Sequence, residues 1–286
     1  MCIRDSNKYC SLLVEDPQDL AGYLASFSVV FNVGKLVGPP IGGLLVALAG
    51  PAWALGIDAA SYLLPIASVM FLLQPRREAE QRSHKGQSAT LLDAWNQCGS
   101  TLRGVLQLTA VLCVVNFFHP GLAPLIADQV LGPDPRDLGL FTSVLAAGSI
   151  AGGVVLQRNS SRFSRRPFLT LGGFGLLTAV AQLGMARSPS VAFSLLMTFL
   201  IGAGTAGLLS SCNLISQVGS PQVMRGRMAG LSQIAFLGGG GVSGLLAAVL
   251  VIATSLSTTF ALTGGIGAVL ALLWICLLYT SDAADE

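Results

Sequence analysis

One lysine, Lys35, stands in the middle of an apolar run that extends from about residue 20 to residue 48. An ammonium group is costly to place in hydrocarbon, so a charge at that depth is a candidate for a functional role. The other polar residues of apolar stretches that could carry a proton or bind a polar ligand are Asp58, Asn116 and His119. An inert lysine that snorkels or is neutral is the alternative for Lys35. For Asp58 a structural hydrogen bond is favoured over proton transfer.

Asn116 and His119 flank two phenylalanines in the stretch NFFH, near the middle of an apolar window at about 105–130. Aromatic groups beside an amide and an imidazole suit the apolar and polar parts of an amphipathic ligand. Hydrogen bonds between helices would account for these residues equally well, and the same holds for Gln182 in a later window. The residues alone leave the two interpretations open.

The ten residues 34–43, GKLVGPPIGG, combine four glycines with two prolines around the lysine. Three of the glycines recur every four residues and so share one helical face: Gly34, Gly38 and Gly42. In lipid, small residues on one face let a second backbone approach closely. The stretch AAGSIAGG at 146–153 offers a matching small face, so we expect these two segments to pack together.

The prolines of this stretch, Pro39 and Pro40, remove backbone hydrogen-bond donors and should kink the helix that contains them. A kinked, closely packed helix between two helix bundles suits a rocking motion that seals one side of a membrane. Plain packing without any gating role is the competing interpretation.

The elements that carry these residues must be membrane-spanning helices, because the composition allows little else. Of the 286 residues, 52% are hydrophobic and 10% are charged, and the mean hydropathy is +0.70. Soluble chains carry about 25% charged residues, so this chain could not cover a water-facing surface. We expect an all-α polytopic membrane protein in contact with the lipid bilayer.

Eight apolar windows are long enough to cross a bilayer core of about 30 Å. They lie at about 20–48, 52–73, 105–130, 138–157, 168–187, 191–214, 229–253 and 257–275. The first and third are longer than one span requires, so we expect these helices to tilt or to extend past the lipid.

Basic residues are distributed unevenly between the two sides of this arrangement. Arg136 and Arg187 lie on one side, and twelve lie on the other: Lys8, Arg76, Arg77, Arg82, Lys85, Arg103, Arg158, Arg162, Arg165, Arg166, Arg225 and Arg227. Basic loops stay in the cytoplasm, so the second side is predicted to be cytoplasmic, with both ends of the chain. We interpret the arginines as this topology signal and expect no nucleic-acid partner.

The largest polar interruption, residues 74–104, is interpreted as a cytoplasmic linker. Its second part places apolar residues on one helical face, which predicts a short helix lying at the membrane interface. These residues are Leu91, Leu92, Trp95, Cys98 and Leu102.

Both ends of the chain carry sequence that we attribute to a sequencing adapter. Read as DNA, MCIRDS at 1–6 and CLLYT at 276–280 can be reverse complements, which two unrelated protein ends should not be. Residues 1–6 and 276–286 are therefore set aside as artefacts. The remaining chain, 7–275, is expected to be incomplete.

Two stretches near the start of the chain are similar to two stretches near its end. GPPIGGLLVA at 38–47 resembles GGGVSGLLAA at 239–248, and DPQDLAGYLAS at 16–26 resembles SPQVMRGRMAG at 220–230. An offset of about 200 residues is typical of parallel repeats that relate two membrane halves. On this reading, about four helices of the first half are missing from the chain.

The glycine–proline stretch resembles the antiporter motif of the major facilitator superfamily, G-x-x-x-G-P-x-x-G-G. Every fixed position is matched: Gly34, Gly38, Pro39, Gly42 and Gly43. Together with the helices, linker and repeat, it makes the chain similar to helices five to twelve of a twelve-helix member. In antiporters this motif is thought to limit leak, which is what the resemblance implies here.

The cytoplasmic loop signature of the superfamily, G-x-L-x-D-R-x-G-R-R, is matched weakly by GVVLQRNSSR at 153–162. Gly153, Arg158 and Arg162 occupy their positions, whereas Gln157 replaces the aspartate. Two other stretches, GIDAASYLL and RGRMAGL, look like the exporter branch called transmembrane secretion effectors. The second of them contains the basic residues Arg225 and Arg227.

The resemblance implies a division of the chain into three parts. Residues 7–73 would be a remnant of the N-terminal bundle with two transmembrane helices, 74–104 the linker, and 105–275 a C-terminal six-helix bundle. It also implies a proton-coupled antiporter that exports amphipathic small molecules, such as drugs or siderophores, across a bacterial inner membrane by alternating access.

Two alternatives stay open, a permease subunit of an ATP-driven transporter and a polytopic membrane protein that transports nothing. An intramembrane enzyme is not expected, because the chain carries neither H-E-x-x-H nor G-x-S-x-G and its few acids are unpaired. Its cysteines are scattered, with no C-x-x-C, so we expect no metal site, and we expect no cofactor.

Overall fold

The computed structural model describes residues 41, 42, 45, 46, 48–72, 91–159, 163, 166–220 and 224–282. The chain divides into two compact units, residues 1–89 and 90–286. The structure confirms an all-α protein, since the described residues contain helices and no strand. We number the helices α1 Pro51–Ser61, α2 Leu63–Leu72, α3 Leu91–Gln97, α4 Ser100–Asn116, α5 Ala123–Val130, α6 Pro135–Arg158, α7 Pro167–Ala186, α8 Val191–Val218, α9 Arg225–Gln233, α10 Gly239–Ala253 and α11 Leu256–Asp282.

The first unit is described mainly by α1 and α2. Gly50 has φ 84°, a left-handed conformation that glycine adopts without a steric penalty, and Pro51 then begins α1. Tyr62 separates the two helices, yet its own backbone is helical, so residues 51–72 form an almost continuous rod. Its large apolar side chains are exposed, as expected of a helix surrounded by lipid.

Five helical segments in the second unit are long and apolar enough to cross a membrane. They are Arg136–Arg158, Pro167–Ala186, Val191–Ser216, Arg227–Ala253 and Leu256–Cys276. The fourth is composite, because a π-helical turn at Ile234–Gly238 joins α9 to α10. These segments match the last five predicted windows. α11 continues to Asp282 and so includes residues 276–282, for which an adapter origin stays a prediction.

The window at 105–130 is not the single long helix that we predicted. It comprises α4, a non-helical connection at residues 117–122, and the short helix α5. Pro120 in this connection has no backbone N–H, and Pro124 lies in the first turn of α5, a position that tolerates proline. The chain therefore turns where one regular helix would have continued.

The short helix α3 forms as predicted, but its buried face differs. Ala94 is buried and Leu92 is 71% exposed, so Leu92 does not share the packed face. Leu102 belongs to α4, because the chain breaks its helix at Cys98 and Gly99. Arg103 closes this elbow, donating from Nε to the carbonyl oxygen of Trp95 at 3.0 Å and from its terminal nitrogen to that of Asn96 at 2.6 Å.

Close packing of α6 against α8 depends on glycine. A Cβ atom at Gly148 would overlap the Phe199 carbonyl, and one at Gly152 would overlap that of Ala203. From the other side, Gly202 meets the Leu145 carbonyl. The small face at 146–153 is thus covered by α8 at both of its central glycines, whereas its packing against residues 34–43 stays a prediction, since most of that segment lies outside the described residues.

Two apolar clusters make up the core of the second unit. One is centred on residues such as Leu108, Leu112 and Leu171, and the other on residues such as Phe118 and Phe260. The buried members of the first cluster on α4 extend to Cys113, and the second cluster includes Phe118, which follows the helix. The polar residue Asn116 lies between them, and this level contains the candidate site.

Candidate functional site

The candidate site lies where α4 ends, at a level predicted from sequence to be the middle of a membrane span. Asn116 is the last helical residue, and Phe117 leaves the helix with φ −106° and ψ 38°. The turn that follows is closed by the amides of Gly121 and Leu122, which donate to the Phe118 carbonyl at 3.1 and 3.3 Å. Irregular backbone at membrane depth is tolerated only where protein or a wet cavity satisfies its polar groups.

A side chain from another helix donates a hydrogen bond to the last carbonyl of α4. Gln182 of α7 donates from Nε2 to the Asn116 carbonyl oxygen at 2.7 Å, and its Oε1 accepts from Thr263 Oγ1 of α11 at 3.3 Å. Gln182 is fully buried. One amide therefore connects three helices through both of its ends.

The side chain of Asn116 points to a different neighbour. A Cβ atom at Gly267 would overlap Asn116 Oδ1, so the absence of a side chain at Gly267 makes room for the amide. Both Asn116 Oδ1 and Nδ2 are buried, and neither has a hydrogen-bond partner among the described residues. A buried amide without partners costs about 1–3 kcal/mol, so its presence here calls for a ligand, a water molecule or another conformation.

An aromatic ring from the π-helical turn between α9 and α10 contacts the break. The rings of Phe117 and Phe236 lie 4.3 Å apart between centroids, and Phe236 belongs to the π-helical turn. Gly240 adjoins the Phe117 ring so closely that a Cβ there would overlap it. Two irregular backbones thus meet at one aromatic contact, and π-turns of this kind are frequent at functional sites.

His119 is buried beside Phe117, with ring centroids 5.1 Å apart and nearly perpendicular planes. Its Nδ1 has no hydrogen-bond partner among the described residues, and neither has the buried Ser243 Oγ of α10. The structure therefore places Asn116 and His119 at the same helix break, within the second unit. Both are hydrogen-bonding groups close to aromatic rings, a combination that suits the polar and apolar parts of an amphipathic molecule.

The structure also describes some of the other predicted residues. Asp58 is exposed on α1, where its carbonyl accepts a hydrogen bond from Ser61 Oγ at 2.7 Å. Gly153 has open space beside it, and Arg158 is exposed at the end of α6. No atom of the described residues lies within 4 Å of a Cβ placed at Gly42. Arg225 begins α9, and Arg227 is half-buried in α9. Outside the described residues lie Gly34, Lys35, Gly38, Pro39, Gly43 and Arg162.

Sequence reasoning missed the residues that organise the break. Gln182 was recognised only as one polar residue among several, and Thr263 and Gly267 were not considered. One signal was available, since Pro120 follows Asn116 by four residues and leaves that carbonyl without its helical donor. No group of three His, Cys, Asp or Glu residues that could hold a metal ion occurs in the described part of the chain.

Comparison with known proteins identifies the family. A family model described as transmembrane secretion effector matches residues 13–286. The multidrug efflux pump Tap of Mycolicibacterium fortuitum is 26% identical over 255 residues, which are 82% of this chain and 58% of that protein. The Mycobacterium tuberculosis pump of the same name is 23% identical over 241 residues, 82% of this chain and 56% of that protein.

A more distant match is the organic anion transporter 3 of Homo sapiens, 37% identical over 87 residues, which are 30% of this chain and 16% of that protein. The chain spans a little over half the length of the two efflux pumps. Since the family model covers nearly all of it, this chain belongs to the transmembrane secretion effectors of the major facilitator superfamily.

Proposed function

We propose that the protein to which this chain belongs is a secondary active exporter of amphipathic small molecules, with drugs as the first substrate class and siderophores as the second. The observation that carries the proposal is the similarity to two multidrug efflux pumps over 82% of the chain. The helix break agrees with it, since neutral polar groups and aromatic rings lie together at membrane depth.

We assign Asn116 and His119 to the substrate pathway. A transported molecule with a hydroxyl or carbonyl group would supply the partners that the Asn116 amide and His119 Nδ1 lack in this conformation. The two residues are covered here, so binding requires a state in which the break opens. Alternating access supplies such states, because each is exposed to a different side of the membrane.

We assign the coupling of export to a proton gradient to residues of the first unit. Lys35 is the charged residue nearest the middle of its predicted span, and Asp58 is the nearest acid in sequence. The glycine–proline motif would restrict the leak of protons while substrate and proton are exchanged. Its residues are Gly34, Gly38, Pro39, Gly42 and Gly43. Its close-packing role rests on small residues that leave room for a neighbouring backbone.

Transport is tested by expressing the complete reading frame that encodes this chain in bacteria deleted for their own efflux pumps. Export of an amphipathic cationic dye should exceed the vector control and stop when a protonophore collapses the gradient. Lys35→Ala should reduce export at normal membrane abundance, and Gly38→Val should reduce export or cause a proton leak. Export that survives the protonophore and stops on ATP depletion would favour a permease subunit of an ATP-driven transporter. If the protein exports no dye or drug, the remaining interpretation is a polytopic membrane protein that transports nothing.

We propose a bacterial inner-membrane location with the basic loops and both chain ends in the cytoplasm. A cysteine introduced at Ser161 should resist an impermeant thiol reagent in intact cells, whereas one at Asp134 should react. Asp134 begins α6 as its N-cap, accepting from the Arg136 amide at 2.8 Å, so a matched cysteine at Pro133 controls for helix damage. The opposite labelling pattern would reverse the orientation.

A further inference from the structure

The end of α4 presents a backbone acceptor that its own helix leaves unpaired. In a regular α-helix the Asn116 carbonyl would accept from the amide of residue 120. Residue 120 is proline, which has no N–H, and the backbone leaves the helical conformation at Phe117. At membrane depth water does not reliably supply the missing donor, so the protein must provide one.

Gln182 provides that donor from a position 66 residues away, with its Nε2 at 2.7 Å from the Asn116 oxygen. Thr263 Oγ1 lies 3.3 Å from the Gln182 Oε1 and shares its one hydrogen between that oxygen and the Thr259 carbonyl at 2.8 Å, so the oxygen end of the amide faces α11 and the nitrogen end faces α4. α11 can come this close because Gly264 leaves room for the Ala179 carbonyl, only 2.8 Å from where a Cβ atom would lie. The bond is therefore built by three helices and is not an incidental surface contact.

We propose that Gln182 is the positioning residue of a pivot at residues 117–122, replacing the backbone donor that Pro120 removes. While the bond is made, the direction of α5 relative to α4 is held. When it is released, α5 can change direction without unwinding either helix. The relevance of this pivot to transport rests on the proposed function, whereas the bond and its dependence on Pro120 do not.

The proposal predicts that residues 120 and 182 are interdependent. In the natural sequence, Gln182→Leu removes the glutamine donor of the Asn116 carbonyl, and Pro120 supplies no backbone donor in its place. With Pro120→Ala, the new amide of residue 120 can serve the carbonyl in its place, so Gln182 is no longer required. A glutamine that only fills core volume would lose the same packing in both backgrounds.

Hydrogen exchange of residues 117–131 in the purified full chain measures this directly. Gln182→Leu should speed exchange there about tenfold, and the same change in the Pro120→Ala background by about twofold or less. Gln107→Leu on the exposed side of α4 is the matched control and should change nothing there. An equal acceleration in both backgrounds, or none in either, would overturn the proposal.

A gentler variant covers the case in which Gln182→Leu does not accumulate. Thr263→Val removes only the group that orients the amide and should speed exchange about threefold, again only when residue 120 is proline. If Thr263→Val speeds exchange equally with proline and with alanine at residue 120, the proposal is also overturned. If the parent protein exports nothing, the proposed function fails while the interdependence of residues 120 and 182 is still measured. If it exports, Gln182→Leu should lower the turnover number more than it changes the KM.

Discussion

The contact of α6 with α8 and the junction of α4 with α7 and α11 both use glycine, but for different purposes. At Gly148 and Gly152 the neighbour is the carbonyl backbone of a regular helix, and the chain is helical on both sides. At Gly267 the neighbour is a polar side chain beside an interrupted helix. The first arrangement brings two rigid rods together, and the second makes room for hydrogen-bonding groups where the backbone turns.

A small residue therefore indicates that a neighbouring element comes close. It does not indicate whether that neighbour is a helix backbone or a polar side chain. In lipid, close backbone contact contributes the packing energy that holds helices together. A buried amide without partners contributes no such energy and lowers stability instead. We therefore expect substitutions in the α6–α8 contact to act on folding and those at the junction to act mainly on function.

The largest effect is expected from Gly152→Leu. A side chain there would collide with the Ala203 backbone, which cannot rotate away, so overpacking should cost about 1–3 kcal/mol or more. Membrane abundance and thermal stability in detergent should both fall. Gly153→Leu is the matched control, since Gly153 has open space beside it. Equal stability of the two variants would contradict the close contact.

A smaller loss is expected from Gly267→Val. The new side chain would meet the end of the Asn116 side chain, which can shift at the expense of its buried position. We expect a loss of about 1 kcal/mol in stability and a larger loss of export, measured on the same preparation. Gly265→Val, with nothing within 4 Å, should affect neither. A Gly267 variant as unstable as Gly152→Leu would remove the contrast between the two regions.

Asn116→Leu should separate stability from function. The substitution removes an amide that has no hydrogen-bond partner among the described residues and keeps the backbone carbonyl that Gln182 binds. Unfolding should become harder by up to about 1 kcal/mol, or stay unchanged, while export of polar substrates falls. Asn116→Asp, similar in size, is the charged comparison and should destabilise the fold. A clear loss of stability in Asn116→Leu would show that the amide has a structural partner.

The smallest effect is expected at the α3 elbow, away from both regions. Arg103→Gln removes the charged donors to the carbonyls of Trp95 and Asn96 and should cost about 0.5–1 kcal/mol. Faster hydrogen exchange within Leu91–Gln97 alone would show it. Arg187→Gln, an exposed arginine, is the control. A global loss of stability would mean that the Arg103 hydrogen bonds stabilise more of the protein than α3 alone.

Much of the fold follows from hydropathy alone. Five of the eight predicted windows are membrane-length helices, because a run of about 20 apolar residues has few other ways to satisfy its backbone in lipid. The same pattern was wrong about window 105–130, since hydropathy does not register that Pro120 removes a donor. It was also wrong to place Leu102 on α3, because helical spacing does not register the break at Cys98 and Gly99.

The sequence by itself determined the class of protein, the approximate spans and the residues whose polarity is unusual at membrane depth. Tertiary structure decided which of these residues meet. Asn116 and Gln182 are 66 positions apart, and only the packing of α4, α7 and α11 brings them within 2.7 Å. In the same way Gly148 and Gly152 could have received several helices, and α8 is the one that does. Small residues permit many close contacts, and the one that forms depends on the shapes and hydrogen bonds of all the neighbouring helices.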